Sequence, residues 1–219
     1  MVRIFSDIAA ELDFEKLLGQ LKIQADTPEF DEFFVLFKQA SAVAAPKALL
    51  KKVPVTVRTA DSICAGGVEL NSRILSSKSA GSDDVLFFAA TCGLEFDRIK
   101  IGEDDFLAAY WLDVIKEECM TQAFSHIQKH TRDVYNYTRS VSLCPSDAGS
   151  WPLHELKHVF LVLGHEAGEI GLELSEYCFM KPNKSLCGVL VNIQDHFEAC
   201  QICDCRDKCD RKNSGHKCD

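Results

Sequence analysis

Residues 170–191 read IGLELSEYCFMKPNKSLCGVLV, and the way this stretch folds decides the architecture. Leu172, Leu174, Tyr177, Phe179 and Met180 form one apolar run. Pro182, Asn183 and Lys184 interrupt it, and Leu186, Val189, Leu190 and Val191 resume it. Two buried strands joined by a short polar bend is the simplest reading. Two carboxylates fall inside the first run, where burial is costly unless the group is paired or edge-facing. Strand alternation puts Leu172, Leu174 and Glu176 on one face and Glu173 on the other. Glu176 is then the candidate to line a cleft at the rim of the core. The competing reading makes it a plain solvent-facing carboxylate on an edge strand.

Working outward, residues 151–163 supply a helix. Ser150 is placed to cap it with Pro152 in its first turn, and Leu153, Leu156, Val159, Phe160 and Leu163 form its buried stripe. Gly164 and Gly168 weaken its end. Residues 141–152, VSLCPSDAGSWP, read as a loop. The strongest helix starts near Asp104 or Asp105 and runs to about His130. His126 and His130 lie four apart on it, as do His154 and His158 on the next helix. Without a third ligand nearby, core or surface histidines are the default. Residues 85–93, VLFFAATCG, read as a central strand. Upstream, residues 7–22 and 28–50 are helical in period, with Pro46 bending or ending the second. Val53, Val55 and Val57 alternate as a strand that Pro54 pushes toward an edge, and Gly66–Gly67 mark a turn.

The chain has 219 residues, of which 47% are hydrophobic, enough for one real core. Its formal charge of -9 argues against nucleic acid as a partner. No apolar run has the length of a membrane span, and the opening MVRIFSDIAAELDFE is too acidic for a signal peptide. A cytoplasmic protein is the expectation. Cysteine is abundant at 11 residues, which without export does not imply disulfides. Cys200, Cys203, Cys205 and Cys209 crowd a tail reading CQICDCRDKC, with Cys218 beyond. Thiolates so spaced can surround an iron–sulfur cluster or a structural zinc; unligated thiols are the third option. The chain divides into residues 1–192, an α+β domain, and a cysteine-rich tail, 193–219.

Several segments, in order, resemble the reactivation domain of cobalamin-dependent methionine synthase, especially its small free-standing relatives. They are FFAATCGLEFD at 87–97, Trp151–Pro152–Leu153, Ile170–Gly171, Leu174–Ser175–Glu176, and Pro182, Lys184, Ser185 and Gly188. The resemblance covers roughly residues 53–191. It implies a single C-shaped α+β domain with a twisted, mainly antiparallel or mixed sheet flanked by helices. It also implies reductive reactivation of a corrinoid protein or cobalamin-dependent methyltransferase. S-adenosylmethionine would be the methyl donor, the cobalamin would be partner-bound, and an outside electron donor would take part. The protein's share of such chemistry is positioning.

The family's S-adenosylmethionine signature is an arginine, a short spacer and a Gly–Tyr pair ahead of the tryptophan. Here Leu143 stands at the arginine position and Asp147–Ala148 at the pair, with Arg139 further upstream. The resemblance makes Arg139, Asp147, Trp151, Ser175 and Glu176 the candidate cofactor-binding residues, Glu176 facing the positive end of the ligand. Three functions stay open: a reactivator, a docking module that recognises a corrinoid protein without chemistry, and a small electron-transfer or metal-binding protein acting through its tail.

Overall fold

The computed structural model describes residues 1–146 and 151–193. The chain opens with strand β1 (Val2–Phe5), where the helical pattern from residue 7 predicts none. Helix α1 is confined to Phe14–Leu21 because Asp13 caps it, accepting from Lys16 N at 3.0 Å, and Lys22 ends it in the left-handed conformation. Helix α2 (Pro28–Val43) is capped by Thr27 with Pro28 in its first turn. It is shorter than its sequence pattern: Pro46 holds the preceding residue extended, and residues 47–50 already belong to the next strand.

That strand, β2 (Lys47–Arg58), is long and internal. Hairpin β3 (Ser62–Ala65) and β4 (Val68–Asn71) turns at Gly66–Gly67, both at positive φ, as the glycine pair predicts. A short helix α3 (Arg73–Lys78) comes next, and β5 (Asp84–Thr91) follows. Helix α4 (Phe106–Tyr135) is capped by Asp105, which accepts from Ala108 N at 2.9 Å, and outruns its predicted end at His130. Strand β6 (Ser140–Leu143) occupies the start of the predicted loop. Helices α5 (Leu156–Leu163) and α6 (Glu166–Glu169) precede the two-residue strands β7 (Glu173–Leu174) and β8 (Met180–Lys181), and β9 (Ser185–Asn192) closes the described chain.

Among the described residues the main sheet has seven strands in the order β4-β3-β2-β5-β9-β6, with β1 also on β2. Every pairing is antiparallel. This is the α+β architecture implied by the resemblance, helices flanking an antiparallel sheet.

Pro54 lies inside the sheet, not at its edge. Lys52 N donates to Met1 O at 2.8 Å on one side of β2, and Val55 N donates to Asp83 O at 2.9 Å on the other. By alternation, the side where Pro54 lacks a donor is the side of β1 and β3. There β1 pairs only as far as Lys51 and β3 begins at Val55. Proline fits that gap without costing a ladder bond.

The first half of the 170–191 stretch departs most from its sequence reading. Only Glu173–Leu174 and Met180–Lys181 pair, and Tyr177 and Phe179 are 73% and 74% exposed. Between these two short strands the run projects as a turn rather than continuing as a buried strand, while Leu172 is buried and Leu174 and Met180 pack on the core. Its second half forms β9, buried from Cys187 to Val191 as expected.

Two features lock the layers. Gly188 of β9 sits so close to the Leu143 carbonyl that a Cβ would collide with that backbone atom, and Cys144 Sγ would lie 2.9 Å away. Glu155, 1% exposed, ties α5 to β4: it accepts from Asn71 N at 2.9 Å and Asn71 Nδ2 at 3.0 Å, and lies 3.1 Å from His158 Nδ1. Burial pushes the Glu155 carboxyl up, but the hydrogen bonds from Asn71 and His158 outweigh it and hold its pKa below the usual value.

A carboxyl with a lowered folded pKa stabilises the fold above its unfolded pKa of ~4.3 and loses that contribution as pH falls through the folded value. Glu155→Gln therefore lowers the unfolding free energy at pH 7 by about 1–3 kcal/mol, with the gap to the parent narrowing in acid, as urea unfolding at both pH values reads. Gly188→Ala costs a further class of energy, overpacking against backbone, and lowers stability by about 1–3 kcal/mol at every pH.

Candidate functional site

Lys51 of β2 points to the α5 side of the sheet and pins the α5–α6 turn. Its Nζ lies 3.2 Å from Leu163 O and 3.1 and 3.2 Å from the two oxygens of Glu166. Burial pushes the Glu166 carboxyl up, but backbone and Lys51 hydrogen bonds bring it below its usual pKa. Gly164 makes the turn at φ 72°; a Cβ there would meet Glu166 Oε2 at 2.8 Å. Gly171, at φ 73°, makes the next turn into β7 with the Leu94 side chain against it.

These turns leave a groove of about 710 Å³ between α5, α6 and β7. Lys157, Phe160 and Leu161 form one wall, buried Ala167 and Leu172 lie at the base, and residues 173–176 form the other wall. The volume lies within the range of small-molecule sites, roughly 300–1,000 Å³. Glu173 and Glu176 both border the groove, so the alternation that was to separate them does not. The strand is too short to enforce it. Ser175 also borders the groove, but its Oγ accepts from Phe179 N at 3.0 Å and its N–H donates to Phe179 O at 2.9 Å. Ser175 thus braces the turn that presents Glu176.

The other sequence candidates fall elsewhere. Arg139 is exposed, and its carbonyl accepts from Ile193 N at 2.8 Å, beyond the Asn192 end of β9. That is about 24 Å along the strand from Ser185. Trp151 is buried in the core beneath α5. Leu143, at the family's arginine position, is buried in the same core. Asp147, Ser150 and the tail thiols Cys200, Cys203, Cys205 and Cys209 lie outside the described residues. His126 and His130 stand edge-on to the Phe5 ring at 4.8 and 5.0 Å. Among the described residues no group of three side chains is arranged to hold a metal, and no helix is long and apolar enough to cross a membrane.

Segments far apart in sequence meet at one end of the sheet. Cys92 N donates to Lys184 O at 3.0 Å, Ser185 Oγ lies 3.0 Å from Thr91 Oγ1, and Leu94 packs on Gly171. Lys184 Nζ reaches Asp113 at 2.8 Å and Glu117 at 3.1 Å on α4. Lys157, Phe160 and Leu161 were not candidates from sequence. The available signal was the helical spacing of 157 and 161, which puts both on the solvent face of α5.

No family model matches the chain, and no curated protein matches it significantly. Among solved structures 13 chains match. One is a crystal structure of the MetH reactivation domain bound to AdoHcy, with a TM-score of 0.62 and 16% identity over 99% of this chain and 86% of that one. The chain has the fold of that domain, in agreement with the resemblance read from the ordered segments.

The Lys51–Glu166 pair fixes the groove's base from the sheet side. Lys51→Met is expected to speed amide hydrogen exchange at Ala167 and Gly168 by about tenfold, the order that loss of a charge-assisted hydrogen bond supports, with β5 amides unchanged. Unchanged exchange at Ala167 and Gly168 would show that the turn holds itself.

Proposed function

We propose that this chain serves the reductive reactivation of a corrinoid-bearing partner, a corrinoid protein or cobalamin-dependent methyltransferase, with S-adenosylmethionine in the α5–β7 groove as methyl donor. The observation that carries the reading is the convergence at one end of the sheet of the segments 87–97, 170–171 and 182–188, within a fold shared with the MetH reactivation domain. The groove suits a ligand with a positive centre, because the carboxylates of Glu173 and Glu176, unpaired among the described residues, border it. The cofactor supplies the methyl group, and the partner's cobalt with one electron from an outside reductant accepts it. The chain's own residues bind and orient. Tail thiols Cys200, Cys203, Cys205 and Cys209 would hold a metal centre, either an iron–sulfur cluster able to relay that electron or a zinc that is structural only.

One observation favours a second reading. The residue at the family's arginine position, Leu143, is 5% exposed and packs in the core. An apolar side chain there gives a ligand carboxylate no partner. On this reading the chain docks on the corrinoid partner without delivering a methyl group.

Mixing the chain anaerobically with a cob(II)alamin-bearing fragment of methionine synthase, reductant and S-adenosylmethionine separates the two. Reactivation gives a complex and the absorption spectrum of methylcobalamin. Docking alone gives the complex with the cob(II)alamin spectrum retained, and absence of both overturns the proposal. Metal and sulfide analysis of chain purified without oxygen tests the tail: about one centre per chain is expected, released as pH falls through the thiolate range. A content near zero with all four thiols freely alkylated rules the centre out.

A further inference from the structure

We propose that Lys157 holds the carboxylate of an S-adenosyl amino acid in the groove, opposite Glu173 and Glu176, which hold its positive charge. The inference rests on the ligand class proposed above and adds the charged contacts that define its specificity.

The groove is polarised. Among the described residues its α5 wall carries one cation, Lys157, and its β7 wall carries two carboxylates, with Phe160, Ala167, Leu172 and Leu174 between them. Among the described residues none of the three charged groups has a hydrogen bond or ion pair. By contrast, Lys47, Lys51, Lys52 and Lys184 are all committed to carboxylates. A ligand that fits must offer an apolar body together with a carboxylate toward α5 and a cation toward β7. Free nucleotides fail this test, because Glu173 and Glu176 repel a phosphate. An amino acid carried on a nucleoside passes it.

The two candidate positions for the family's arginine do not serve this groove. Leu143 is built into the core and Arg139 lies past the far end of β9, so neither reaches the groove. Lysine provides a point charge in place of a bidentate fork, which suffices for one carboxylate at an open groove mouth. Because Lys157 is exposed and its side chain has no hydrogen bond or ion pair among the described residues, its replacement is expected to leave the fold intact.

Calorimetric titration of the full chain with three probes tests the assignment. S-adenosylmethionine carries the carboxylate, the ammonium and the sulfonium. S-adenosylhomocysteine lacks the sulfonium charge, and 5′-methylthioadenosine lacks all three. Lys157→Ala is expected to weaken the first two by about tenfold and leave 5′-methylthioadenosine unchanged, and Lys157→Arg to restore most of the loss. Glu173→Gln with Glu176→Gln is expected to weaken S-adenosylmethionine more than S-adenosylhomocysteine. Equal binding by the parent and Lys157→Ala, an equal loss for all three probes, or no binding of any probe to the parent overturns the assignment. Lys157-dependent binding without complex formation or spectral change at cob(II)alamin overturns the reactivation reading alone. Full conversion by Lys157→Ala overturns the lysine's role alone.

Discussion

Burial of β5 on both faces is the constraint on which the rest of the molecule depends. Leu86, Phe88 and Ala90 join Ala48, Leu50 and Leu190 beneath Ala123 and Ile127 of α4. Val85, Phe87 and Ala89 join Leu49, Val53 and Val189 beneath Leu156, Val159 and Leu163 of α5. A strand with no wet face has no water for its amides, so both neighbours, β2 and β9, must satisfy them. A slip of one residue would exchange the two side-chain sets between two differently shaped helix layers.

The alternation set by β5 also distributes charge. Lys51 falls on the α5 face and Lys52 on the α4 face. Lys51 runs out to Glu166 and steadies the turn below the groove. Lys52 pairs with Asp84 at 2.8 Å and lies over the Tyr135 ring at the end of α4. Neighbouring lysines thus anchor opposite layers. Helix α4 extends this division lengthwise. Its first half packs with α1 and α2 around Phe33, Phe37 and Trp111, and its second half covers the sheet.

The elements most legible in the sequence were those whose partners lie within their own period. VLFFAAT declares a strand buried on both faces, Gly66–Gly67 a tight turn, and the stripe of α5 its buried side. Long α4 was legible, but apolar residues surround its axis at its first end, so the period alone does not tell that Leu107 and Tyr110 are exposed. Strands β1 and β6 were missed since their order comes from partners about fifty residues away along the chain, Leu50 and Val191 among them. The projecting turn at Tyr177 and Phe179 misled because hydrophobicity was equated with burial, whereas Ser175 and positive-φ Cys178 shape a turn there. At the groove, Glu176 and Ser175 could be singled out from a short motif. Lys157 could not, because a lone exposed lysine on a helix carries no signal until the opposite wall is known.

The antiparallel partner of β5 on its second edge is β9, and Leu86 pairs with Leu190. During synthesis, therefore, the most apolar strand of the protein emerges roughly a hundred residues ahead of the segment that covers it. At ribosomal speeds of about 5–20 residues per second, that edge stays open for about 5–20 s. An uncharged run such as VLFFAAT with a free edge is the kind of segment that recruits copies of itself. Asp83 and Asp84 stand directly before it. In the finished molecule Asp84 pairs with Lys52; before that, the doublet places negative charge beside the open strand, so that two nascent chains repel each other at the point where they would otherwise associate.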